Sequence, residues 1–146
     1  MIRHARAAAL AGAVLCAAGP ALAGAADWWE VIKLPDGSEI LTVMADAASA
    51  KTIAPGVVEV RFLNHHTAVD GATRRWSYNW VQFDCAHTQE RLVRADFYDS
   101  TLALRARRDV DEAWGPVQPA DPLILFVCKG ERDGFVRREG FVPPVG

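Results

Sequence analysis

Residues 74–83 carry the sequence RRWSYNWVQF, and Cys85 follows two residues later. Side chains alternate between the two faces of a β-strand, so every second residue shares a face. The segment is rich in β-forming residues and predicts a long strand with Trp76, Tyr78 and Trp80 in one row. The cysteine at its end decides how this strand is joined to the rest of the fold.

The beginning of the chain has the pattern of a secretory signal peptide. A basic segment with Arg3 and Arg6 precedes an apolar run over 7–18, and small residues follow up to Ala23. The run is too short to cross a bilayer. We therefore predict a signal peptide over residues 1–23 and an exported protein, periplasmic or secreted, without a membrane span.

Cys16 lies inside the apolar run, directly after the bulky Leu15. Lipid-attachment cysteines follow a small residue, so we expect a protein without a lipid anchor. Lipidation, and with it association with the cell surface, stays open as an alternative.

Cys85 and Cys128 are the cysteines that remain after removal of the signal peptide. In an oxidising compartment two such cysteines are expected to pair, which predicts a disulfide. The alternative is a free catalytic Cys85 beside His87, because the two side chains share a face of an extended chain. A thiolate with a second cysteine available is usually oxidised there, which favours the disulfide.

Turn signals divide the remaining chain into short elements. Asp46–Ser49 is expected to form a capped helical turn, and Asp121 and Pro122 suit the start of a short helix over 123–128, with a strand as the alternative there. The predicted strands cover 28–34, 38–45, 57–63, 74–83, 91–98 and 101–107.

The order of these elements predicts an α+β fold. A single antiparallel sheet of about six strands is expected, with the carboxy-terminal helix packed on one face and held by the disulfide. Residues 24–130 form one domain, which suits the length of the chain, and residues 131–146 are expected to form a flexible tail.

Several motifs occur in an order that resembles the surface-adhesin protein E-like domain family of proteobacteria. The motifs run from a tryptophan near the mature amino terminus to the second cysteine and include Trp28, Asp46, Ser49, Ser77, Asp84, Cys85, Tyr98, Ser100, Trp114, Val117 and Cys128. The resemblance implies a six-stranded antiparallel sheet, a carboxy-terminal helix and a disulfide between them. It also implies an adhesin-like domain that binds a host, matrix or envelope protein and can form a homodimer.

The aromatic row is the first candidate binding surface. Aromatic and arginine side chains together are typical of interface hot spots. The predicted partner-binding residues are Trp76, Tyr78, Trp80, Arg74, Arg75, Arg91 and Arg94. The alternative for the aromatic residues is core packing under the helix, and the alternative for the arginines is salt bridging with nearby carboxylates such as Asp96.

His65 and His66 are the second candidate. Adjacent strand residues point to opposite faces, so the two cannot easily chelate one ion. They nevertheless leave an alternative function open, a small-ligand protein of the periplasm that binds haem or a metal.

Neither catalysis nor nucleic-acid binding is predicted. The chain has no nucleophile turn, phosphate loop or zinc spacing that would point to an enzyme or a cofactor, and a hydrolase ranks last among the alternatives. Its net charge of −2 argues against general nucleic-acid binding. The sequence therefore favours a non-enzymatic binding domain.

Overall fold

The computed structural model of the protein describes residues 25–144. Eight strands and one helix follow one another along this part of the chain. The strands are β1 (Trp28–Asp36), β2 (Glu39–Ala54), β3 (Val57–Ala68), β4 (Thr73–Asp84), β5 (Gln89–Asp99), β6 (Leu104–Asp109), β7 (Gly115–Pro116) and β8 (Val136–Arg137). The helix α1 (Pro122–Cys128) lies between β7 and β8. The predicted signal peptide lies outside the described residues.

All the strands belong to one antiparallel sheet. The order across it is β6-β5-β4-β3-β2-β1-β8, and β7 pairs with β5 beside β6. Strands that follow each other along the chain are neighbours from β1 to β6, as expected for short connections. The predicted antiparallel sheet is confirmed, but it has more than six strands, because β7 and β8 add two residues each and are too short to leave a pattern in the sequence.

The predicted helical turn at Asp46–Ser49 is wrong. β2 continues through these residues, and its pairing with β3 shifts between Asp46 and Lys51. The Asp46 carboxylate accepts hydrogen bonds from the backbone amides of Ala48, at 3.2 Å, and Asp27, at 2.9 Å. The capping side chain therefore holds a β-bulge in place of a helix start.

The short helix near the carboxy terminus is confirmed. Asp121 has extended backbone angles and its carboxylate accepts a hydrogen bond from the Leu123 amide at 2.8 Å. Pro122 is the first helical residue, where the missing amide proton costs no hydrogen bond. Ile124 and Phe126 are the buried residues of the helix and face the sheet.

The predicted disulfide is confirmed. Cys85 directly follows β4, Cys128 is the last residue of α1, and their Cα atoms lie 5.3 Å apart. The bond therefore holds the end of the helix against the end of the longest predicted strand. A disulfide also fits an exported location, because such bonds persist in oxidising compartments.

One face of the sheet, which we call the helix face, is covered by α1. The helix contacts β1, β3 and β4. The buried core on this face consists of Val31, Val43, Ala45, Val60, Phe62, Phe83, Ile124 and Phe126. This layer is the one that the alternating pattern of β3 predicts, since Val60 and Phe62 share a face.

The opposite face, which we call the far face, has a second core. Its buried residues are Trp28, Met44, Leu63, Trp76 and Tyr78, and Trp80, Tyr98 and Phe141 pack against them. Trp76 and Tyr78 therefore pack in a core, as the alternative for the aromatic row predicts, but its placement of that core under the helix is wrong. Alternation places the three rings on one face, but it does not indicate which face the helix covers.

The segment after Lys129 makes specific contacts with both faces. β8 pairs with β1, and the Phe135 ring meets the Phe126 ring edge-on with centroids 5.4 Å apart. Phe141 meets the Trp28 ring edge-on on the far face at 6.2 Å. Part of the predicted tail thus completes the sheet, while its flexibility stays a prediction. Within residues 25–144, no helix is long and apolar enough to cross a membrane.

Candidate functional site

The aromatic row is only partly accessible. Trp76 and Tyr78 are buried, with 7% and 4% of their surface exposed, whereas Trp80 is half-buried. The Tyr78 ring lies 6.1 Å from Trp80 and 6.2 Å from Trp28, between centroids. Two of the three predicted contact residues therefore serve the far-face core, and Trp80 is the ring that a partner can reach.

A buried ion pair lies beside this row. Asp46 is only 2% exposed, and its carboxylate accepts a hydrogen bond from the Arg61 guanidinium at 2.7 Å. The same guanidinium lies 5.4 Å from the Tyr78 ring centroid and 5.5 Å from that of Trp28. Arg61 thus covers two core aromatic rings, while the Asp46 carboxylate balances its charge.

A second buried carboxylate holds two more arginines. Asp96 is 2% exposed and accepts hydrogen bonds from Arg94, at 2.8 Å, and Arg107, at 3.1 Å. Burial raises the pKa of the Asp96 carboxyl, but the hydrogen bonds from the two arginines outweigh it and bring the pKa below 3.8. The carboxylate therefore stays ionised and fixes both guanidinium groups.

Arg94 also stacks on the accessible tryptophan. Its guanidinium carbon lies 4.3 Å from the Trp80 ring centroid, and the two residues are directly paired across β4 and β5. On the other side, Trp80 is paired with Arg61 of β3. Trp80, Arg94, Arg61 and Arg107 together form what we call the far-face patch.

The other predicted arginines lie apart from this patch or at its margin. Arg91 lies near the start of β5. Its guanidinium donates a hydrogen bond to the Gln82 side chain at 2.9 Å, and its guanidinium carbon lies 4.7 Å from the Trp114 ring centroid. Arg75 binds Glu39 and His66 instead. Arg74 is exposed and has no hydrogen bond or ion pair with the described residues. Of the four predicted arginines, the structure brings only Arg94 to the aromatic row, and sequence reasoning missed Arg61 and Arg107 as members of the patch.

A cleft lies at the other end of the far face. It has a volume of about 500 Å³ and lies between β1, β2, β3, the start of β4 and the carboxy-terminal segment. Its apolar lining includes Ile40, Met44, Trp76, Val69 and Phe141, and its polar lining includes Glu30, Lys33, Thr42, His65, Thr67 and Arg138. The carboxy-terminal residues were not predicted to take part, because no local pattern connects them with β1.

His65 lies in the wall of this cleft. Its ring is parallel to that of Trp76, with centroids 3.5 Å apart, and Nε2 is 3.0 Å from the Thr73 hydroxyl. Burial, and secondarily the neighbouring His66, lowers the pKa of His65 below 6.5. The imidazole is therefore favoured in its neutral form.

His66 points to the opposite face, as alternation predicts. Its Nδ1 lies 3.3 Å from Glu39, 3.7 Å from Asp36 and 3.0 Å from the Arg75 guanidinium. These histidine and carboxylate atoms are within 4.8 Å of one another, which is close enough for a metal ion. However, Arg75 already binds both His66 and Glu39, so this cluster is explained as an ion-pair network.

The alternative of a free thiol at Cys85 is not what the structure contains, because the sulfur is in the disulfide. The nearby His87 is exposed and pairs with Asp84 at 2.7 Å. Hydrogen bonding to His87 holds the pKa of Asp84 below 3.8. This pair therefore caps the turn after β4, where the Asp84 carboxylate also accepts hydrogen bonds from the Ala86 and His87 amides.

Comparison of the chain with protein-family models, with curated proteins and with solved structures gives no match. The function is therefore argued from the far-face patch and the cleft.

Proposed function

We propose that the protein is an exported, non-enzymatic, adhesin-like binding domain of the bacterial cell envelope. It contacts a protein or envelope partner through the far face of the sheet. The motif order that resembles the surface-adhesin protein E-like family gives the same expectation. The observation that carries the proposal is the stacked pair of Trp80 and Arg94 beside the buried aromatic core of the far face.

The geometry of the patch supports binding in a specific way. Asp96 holds Arg94 and Arg107, and Asp46 holds Arg61, so the guanidinium groups are already ordered before a partner arrives. Pre-ordered side chains lose less conformational entropy on binding. Tryptophan and arginine are also the residue types that contribute most to interface hot spots.

Crosslinking in cells, followed by fractionation and mass spectrometry, tests this proposal. The double variant Trp80→Ala/Arg94→Ala is expected to reduce capture of the partner by at least about tenfold, because it removes a hot spot. The matched control is Leu104→Ala/Arg105→Ala on the exposed edge strand β6. The proposal is wrong if the patch variant captures as much of the partner as the wild type does, or if only the edge variant captures less.

A second candidate function is small-ligand binding at His65, with haem or a metal ion as the ligand. The cleft beside His65 favours it, because ligand sites are typically concave and partly apolar. Titration with haem and with zinc tests it by absorbance and calorimetry. Since the two histidines lie on opposite faces, His65→Ala is expected to weaken binding and His66→Ala is not; equal binding by both variants contradicts it.

A further inference from the structure

The cleft on the far face has an apolar floor. Met44 is 4% exposed and Trp76 is 7% exposed, and Ile40 and Phe141 add to the apolar lining. The volume of about 500 Å³ falls within the range of roughly 300–1,000 Å³ that is typical of small-molecule sites. The cleft can therefore take the apolar body of a small molecule.

The indole nitrogen of Trp76 is a buried donor without an acceptor. Nε1 has no hydrogen-bond partner among the described residues, although Trp76 lines the cleft. A buried unpaired donor is unfavourable, so its presence calls for an explanation. Because Nε1 is closed off from solvent, and the indole nitrogens of Trp28 and Trp29 are buried and unpaired in the same way, this donor reflects the dense packing of the far-face core and not a polar contact for a ligand.

The charges around the cleft favour an anion. Glu30 of β1 already forms an ion pair with Arg138 of the carboxy-terminal segment. Lys33, which also lines the cleft, is exposed and forms no ion pair with the residues between 25 and 144. The lysine therefore leaves one uncompensated positive charge beside an apolar floor.

We propose that this cleft binds a small amphipathic carboxylate, with its apolar body on Met44 and Trp76 and its anionic group at Lys33. The inference rests on the small-ligand function proposed above and names a different ligand class from haem or a metal. It needs no histidine ligation, because His65 acts here only as a wall stacked on Trp76.

Calorimetric titration with decanoate and with decan-1-ol at neutral pH tests the proposal on the mature protein. Decanoate is expected to bind saturably, and Lys33→Met is expected to weaken it about fivefold, which is the size of a partly exposed ion pair. The same variant should leave the weaker binding of decan-1-ol unchanged. Lys129→Met, which removes an exposed lysine beyond α1, is the matched control and should bind decanoate like the wild type.

Amide and indole NMR spectra give a second readout. It reports where decanoate binds, which a change of net charge cannot imitate. Decanoate is expected to shift the indole N–H resonance of Trp76, assigned with Trp76→Phe, more than those of the other tryptophans. Absence of saturable decanoate binding, or equal weakening by Lys33→Met and Lys129→Met, overturns the proposal. If haem or zinc still binds in a His65-dependent manner in that case, small-ligand binding stands and only the ligand class is wrong.

Discussion

The imidazole of His65 lies parallel to the indole of Trp76, with ring centroids 3.5 Å apart and planes 1° from parallel. The two residues are direct partners across β3 and β4. The histidine therefore covers a core tryptophan and gives up part of its own hydration. The packing of the far-face core therefore influences the protonation state of His65, which forms part of the cleft wall.

The first prediction concerns pH. The folded state holds the pKa of His65 below 6.5, so below that value the unfolded state binds more protons than the folded state. The contribution of His65 to the free energy of unfolding is therefore complete above pH 6.5. It is lost as the pH falls through the lowered pKa of the folded state. We expect His65→Phe, which keeps a stacked ring, to lose this dependence in denaturation curves between about pH 5 and 7.

The exposed His87 provides the control for that experiment. Its side chain is 71% exposed, so His87→Gln should retain the wild-type dependence between those pH values. An identical pH dependence in wild type and His65→Phe would show that other groups cause it.

The second prediction concerns the disulfide between Cys85 and Cys128. The bond joins residues 43 apart in the sequence, and the chain-entropy estimate for such a loop is about 4 kcal/mol. We expect the double variant Cys85→Ser/Cys128→Ser to lose about that much unfolding free energy in urea, a large part of the roughly 5–15 kcal/mol of a typical domain. A reducing agent should destabilise the wild type and leave the double variant unchanged.

The third prediction concerns the start of α1. Asp121→Ala removes the acceptor for the Leu123 amide and should lower the unfolding free energy by about 1 kcal/mol. Asp133→Ala removes an exposed carboxylate without a capping role and serves as the control. Equal losses in the two variants would mean that charge, and not capping, is responsible.

The fourth prediction concerns Asp96. Asp96→Asn keeps the shape of the side chain but leaves Arg94 and Arg107 without their anion, so we expect a loss of about 1–3 kcal/mol in unfolding free energy. The exposed Asp111→Asn should change stability little. Partner capture should fall with Asp96→Asn as well, because the far-face patch is no longer ordered.

Local patterns in the sequence were sufficient for most of the architecture. The alternation of Val58, Val60 and Phe62 predicts a half-buried strand, and Asp121-Pro122 predicts the helix start. These signals act over a few residues, which is the range in which side-chain periodicity and capping decide structure. The disulfide followed from the number of cysteines and the expected compartment.

The far face could not be predicted in the same way. Its core combines Trp28, Met44, Trp76 and Phe141, which come from β1, β2, β4 and the end of the described chain. The pairing of Asp96 with Arg107 likewise depends on the register of β5 and β6. Sequence periodicity gives the face of each strand but not the contacts between distant segments, so the patch and the cleft required the structure.

Residues near the two ends of the described chain meet at one edge of the sheet. Trp29 is paired with Arg137, and the Arg137 guanidinium donates to Asp27 at 2.8 Å. A circular permutant that links these ends by a short flexible linker, and opens the chain in the exposed turn after Asp99, should therefore retain the native strand order. In such a molecule β8 would directly precede β1. The pairing of these two strands, which joins distant parts of the sequence, would then become a local hairpin.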